Sequence, residues 1–122
     1  MRTLLAALLL FSVPAFARDA GQWEHENPAV RAWYENAELT VPAQKRFGFK
    51  SCCAHSDVVR TQFRVSHDDG ADQWWWLDRG AWKQVPADII HWGEAAPDNQ
   101  PTLFLLGGEG EPTCFYPGES GN

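Results

Sequence analysis

Positive charge is scarce in this chain: ten Lys and Arg stand against sixteen Asp and Glu in 122 residues. Without a basic stripe it is a poor match for nucleic acid or an anionic membrane surface, and neither partner is expected. The motifs that announce chemistry are missing as well. The chain has no phosphate-cradling Gly loop, no His-Glu-x-x-His, no Gly-x-Ser-x-Gly and no Cys-x-x-Cys. The acidic turn Asp68, Asp69, Gly70, Asp72 lacks the ligand pattern and closing Glu of a calcium loop. Past residue 17 no apolar run approaches the ~20 residues that cross a bilayer, so membrane insertion is not expected. Cysteine is limited to three residues.

The apolar run that does exist lies at the N terminus. MRTLLAALLLFSVPAFA reads as a cleavable export signal, residues 1–17: Arg2 supplies the positive end, Leu4 to Val13 the apolar stretch and Ala15-Phe16-Ala17 the cleavage site. Removing it leaves 105 residues carrying nine Lys and Arg against sixteen Asp and Glu, a formal charge of −7. Such a charge suits solubility or a cationic partner. The expected location is a bacterial periplasm. Residues 18–26 form a polar lead, residues 27–118 one small globular domain and residues 119–122 a polar tail.

In an exported chain the cysteines are expected to pair. Adjacent Cys52 and Cys53 can join each other only through a strained ring, because a disulfide prefers Cα atoms about 5.5 Å apart. One of them therefore reaches Cys114, with Cys53 the preferred partner and Cys52 the alternative. The third is expected to be a buried thiol.

Asn27-Pro28 opens a helix, with Asn as cap and Pro in the first turn, and Val30, Trp33, Tyr34 and Ala37 form its apolar stripe up to Leu39. Thr40-Val41-Pro42 is expected to end it, and residues 42–51 to form a loop. The period then changes to two. Val58 to Ser66 reads as a half-buried strand, Gln73 to Leu77 and Ala81 to Val85 as a hairpin about Asp78-Arg79-Gly80, and Thr102 to Leu106 with Thr113 to Tyr116 as a second hairpin. The expected fold is α+β and mainly β: one N-terminal helix packed on a small antiparallel sheet or half-barrel of about five strands.

The runs NPAVRAWY, SCC, IIHW before a Pro/Asn loop, and CFYPG resemble a family of small exported alphaproteobacterial proteins. These share a Pro-initiated helix, a Ser-Cys-Cys and a C-terminal Cys-Phe/Tyr-x-Pro. The resemblance spans most of Asn27 to Gly118, implies export and a single domain, and supplies no reaction.

Aromatic residues offer the best candidate for a ligand surface. All seven Trp lie beyond residue 17. On a strand Trp74 and Trp76 share one face and Trp75 takes the other; Trp82 falls opposite Trp76 or beside Trp75, depending on the length of the hairpin loop. The expected function is an exported, non-enzymatic module without a cofactor, binding a protein partner or envelope ligand through Trp74, Trp76 and Trp82. The competing expectation is a thiol or metal protein in which Cys52, Cys53 and His55 hold Cu or Zn.

Overall fold

The computed structural model describes residues 27–118. The export signal, the polar lead and the polar tail lie outside the described residues. Three short helices come first: α1 (Pro28–Asn36), α2 (Val41–Phe47) and α3 (Cys52–His55). Six strands follow, β1 (Ser56–Val59), β2 (Phe63–Asp68), β3 (Ala71–Asp78), β4 (Ala81–Gln84), β5 (Thr102–Leu106) and β6 (Pro112–Tyr116), with one 3₁₀ turn at Ala87–Ile89. The α+β, mainly β class expected from the sequence is what the chain adopts. The strands form two sheets, however, where a single one of about five strands was expected. One has the order β1-β5-β6 and the other β2-β3-β4, all neighbours antiparallel.

The helix starts are set by capping. The Asn27 side chain accepts from Ala29 N at 2.8 Å, and Pro28 sits where a missing N–H costs nothing. The helix ends at Asn36, one turn earlier than its apolar stripe, because Ala37 is already extended. Thr40-Val41-Pro42 is a helix start rather than an end. Thr40 caps α2 by accepting from Ala43 N, Pro42 occupies the first turn, and Gly48 closes the helix in the left-handed region at φ 83°. The Thr40 hydroxyl also donates to Asp88 O, and Arg46 grips the Asp88 carboxylate with Nε at 2.7 Å and a second nitrogen at 3.0 Å. These contacts tie α2 to the 3₁₀ turn.

The expected strand over Val58 to Ser66 is two strands in different sheets. At the corner, Thr61 Oγ1 donates to Leu77 O at 2.5 Å and Leu77 N donates to Gln62 O at 3.0 Å. Side-chain alternation runs through the corner unchanged, which is why the sequence pattern does not reveal it.

β6 lies at the centre of the packing. Cys114 stands opposite Phe104 in the β5–β6 ladder, and Phe115 stands opposite Leu103. On the Cys114 side, Phe104 and Tyr116 meet Tyr34 and Trp33 of α1, and the disulfide reaches α3. On the other side Phe115 meets Phe63 at 5.6 Å and Trp74 at 5.3 Å, joining the two sheets. The result is helices, sheet and second sheet around one core, with β5 and β6 buried on both faces.

Candidate functional site

The candidate aromatic surface divides between the core and the outer face of the second sheet. Phe63 pairs with Trp76 and Val65 with Trp74, so these four share the face that meets Phe115. Trp74 and Trp76 are only 6% and 5% exposed. They are core residues, because the first sheet covers the face that the sequence left open. A two-residue turn, Arg79-Gly80, places Trp82 opposite Leu77 and on the same outer face as Trp75. There Arg64 lies over the Trp82 ring at 4.4 Å, and Trp75 Nε1 donates to Ser66 Oγ at 3.0 Å. The outer face is therefore partly covered by its own side chains.

The second candidate, Cys52, Cys53 and His55, is dismantled by the disulfide. Cys52, rather than the preferred Cys53, pairs with Cys114, their Cα atoms 6.0 Å apart. Ser51 caps α3 by accepting from Ala54 N, and Cys52 N donates to Ala37 O, which fixes the rotation of this short helix. Successive residues of a helix point about 100° apart, so only one of two adjacent cysteines can face β6. Cys53 is free and buried, as expected of the leftover thiol, and burial together with the charges of Asp57 and Glu35 pushes it up to about 12. A thiol held protonated is a poor nucleophile and a poor metal ligand. His55 is exposed on the other side, its ring 4.5 Å from that of Phe49. Among the described residues no three His, Cys, Asp or Glu side chains come together as a metal cluster.

A groove that the sequence did not single out brings side chains together instead. It encloses about 730 Å³ between α1, the start of α2 and the segment at His91. Trp33, His91 and Tyr116 give it an aromatic lining, with Glu38, Val41 and Glu94 along its edge. His91 stacks on Tyr116 at 4.1 Å with the rings within 3° of parallel, and Trp33 meets Tyr116 edge-on at 4.8 Å. His91 Nδ1 lies 2.9 Å from a Glu94 carboxylate oxygen, which fixes the imidazole against the phenol. The Tyr116 hydroxyl donates to Glu38 O at 3.2 Å. Burial, then the negative charge of Glu94, raise the Tyr116 phenol well above the ordinary tyrosine value.

Two further facts mark this groove. Among the described residues the large hydrophobics left mainly exposed are Val41, at 64%, and Trp92, at 52%. Val41 lines the groove and Trp92 follows His91, which also lines it. The motif IIHW thus runs from Ile89 and Ile90 in the core, through His91 at the groove, to the exposed Trp92. Its apolar-apolar-polar-apolar order gives no period from which this course could have been read.

A smaller cavity of about 340 Å³ sits at the corner where the two sheets diverge, lined in part by Arg60, Trp76, Arg79 and Gly108. Trp76 Nε1 is buried without a hydrogen-bond partner among the described residues. No helix of the described residues is long and apolar enough to cross a membrane. No known protein family, curated protein or solved structure matches the chain.

Proposed function

We propose that this chain is an exported, non-enzymatic binding module that takes a segment of a partner protein or an envelope ligand into the groove between α1, α2 and His91. The observation that carries this reading is the coincidence of the aromatic groove with the exposed Val41 and the neighbouring Trp92. Isolated exposed apolar residues are ordinary on a protein surface. A concave aromatic surface with exposed apolar side chains beside it is the pattern of a binding site.

Export to a periplasm belongs to the same proposal. Leu4 to Val13 with Ala15-Phe16-Ala17 supports it from the sequence, as does the resemblance to exported Ser-Cys-Cys proteins. The Cys52–Cys114 bridge is compatible with it, since such bonds form and persist in oxidising compartments. The non-enzymatic reading is supported by the burial and raised titration of Cys53, the one free thiol of the described residues.

The test uses substitutions that leave the core alone. Val41→Asp and Trp92→Ser are made together, and the variant and the parent are used as bait in envelope extract. The expected outcome is a partner retained by the parent and lost by the variant, with unchanged urea unfolding. A folded variant that keeps every partner would remove the groove from consideration. N-terminal sequencing of the exported protein is expected to begin at Arg18; a retained Met1 would remove export.

A further inference from the structure

We infer that the groove is built for a cation, specifically the ammonium of a lysine side chain on an extended segment of a partner protein. This rests on the reading of the groove as a binding site and adds the chemistry of its occupant.

Charge complementarity comes first. Glu38 and Glu94 both line the groove, and among the described residues no Lys or Arg does. Hydrogen-bonding polarity points the same way. The Asn36 amide nitrogen donates to Ala32 O at 2.7 Å, and the Gln44 amide nitrogen donates to Leu39 O at 2.9 Å. Each amide is oriented by its own backbone, which leaves its carbonyl oxygen as an acceptor. The hydroxyls of Thr40 and Tyr116 likewise donate to the backbone oxygens of Asp88 and Glu38. One N–H of each amide and both hydroxyl hydrogens are turned inward to the backbone, and the amide oxygens add acceptors beside the two carboxylates. A ligand that fits such a border brings donors and positive charge, and an ammonium offers three donors with no acceptor.

The aromatic lining adds a second attraction. Tyr116 is buried with His91 stacked on its ring, and Trp33, half-buried and 4.8 Å from it, is the aromatic left to meet a cation; indole is the strongest cation–π partner among the side chains. At about 730 Å³ the space exceeds what one ammonium fills and accommodates a side chain with its flanking backbone. The apolar stem of lysine then packs on Val41 and Trp33 while its head meets Glu38 or Glu94.

The test is an NMR titration of the oxidised, isotope-labelled protein with four probes. These are a blocked Gly-Lys-Gly-Lys-Gly peptide, its norleucine counterpart, its glutamate counterpart and tetramethylammonium chloride. The lysine peptide is expected to shift the Trp33 indole signal and the amides of Glu38 and Glu94. It is expected to bind roughly tenfold more weakly to a Glu38→Gln/Glu94→Gln variant, whose amides preserve shape and the hydrogen bond to His91. Norleucine binding at the groove as tightly as lysine would overturn the cation while leaving the binding module intact. Tetramethylammonium binding as tightly as the lysine peptide would overturn the protein segment as its source. Shifts from no probe, or tightest binding of the glutamate peptide, would overturn the inference outright, whereas the binding module falls only if the Val41/Trp92 variant keeps its partners. Unchanged unfolding of the Glu38→Gln/Glu94→Gln variant, together with its response to salt, separates lost charge from lost structure.

Discussion

Replacing Cys52 and Cys114 together by Ala tests which cysteine carries the fold. The bridge joins residues 62 positions apart, linking α3 to the buried strand β6. Closing a loop of that length removes about 14 cal/mol/K of entropy from the unfolded chain, or about 4 kcal/mol near room temperature. A domain of this size has a net stability of ~5–15 kcal/mol, so the bridge is a large share of it. With a urea dependence of about 1–2 kcal/mol per molar, the unfolding midpoint is expected to fall by roughly 2–4 M, if the variant folds at all. Cys53→Ala is the control. It removes a small buried thiol that bonds to nothing covalently, at a cost of about 1 kcal/mol, and leaves the disulfide in place. The single variant Cys52→Ala is expected to show two free thiols, because Cys53 lies about 100° around α3 from Cys52 and re-pairing with Cys114 would require the helix to turn or unwind. Non-reducing peptide mapping reads the bonds and urea unfolding reads the energies. A Cys53→Ala variant that loses the bridge, or a double variant within 1 kcal/mol of the parent, would refute the assignment.

Trp74→Ala is expected to cost about 3–5 kcal/mol by urea unfolding and Trp92→Ala less than about 0.5, since one ring packs on Phe115 and the other stands half in solvent. Thr113→Val is expected to cost about 1–3 kcal/mol, because the Ser56 hydroxyl, buried and 2.7 Å from Thr113 Oγ1, loses that partner. Adding Ser56→Ala should recover part of this loss, and strict additivity in the double-mutant cycle would count against the pair. An unfolded-chain thiol titrates near ~8.5, whereas native Cys53 is pushed up to about 12. Folding therefore holds a proton that the unfolded chain releases: its contribution is full below about pH 8.5 and is lost as pH rises toward 12, at about 1 kcal/mol per unit. Unfolding midpoints between pH 9 and 10 should show that slope in the parent and lose it in Cys53→Ala.

Much of the secondary structure was legible because its causes are local. Asn27-Pro28 announces α1 through capping chemistry, and period-two alternation locates β3, β4, β5 and β6 within a residue or two of their observed ends. Pro42 was ambiguous. A proline both follows helices and opens them, and only the paired signals of Thr40 as cap and Gly48 as stop identify α2. The corner at Arg60 to Gln62 carried no mark, since a strand that changes sheets keeps its alternation.

The sequence alone determined that three cysteines allow one bridge, that Trp74 and Trp76 share a face, and that this face is apolar, because those are consequences of bonding and of strand period. It could not say what covers that face. The tertiary structure decided that the first sheet does, through Phe115, and so turned the expected ligand surface into core. Tertiary structure also decided for Cys52, because the rotation of α3 is set by Ser51 and by the hydrogen bond from Cys52 N to Ala37 O. The groove is the extreme case. Trp33, Glu38, Val41, His91 and Tyr116 come from segments up to 83 positions apart, and no periodicity records a surface that exists only where separate elements meet.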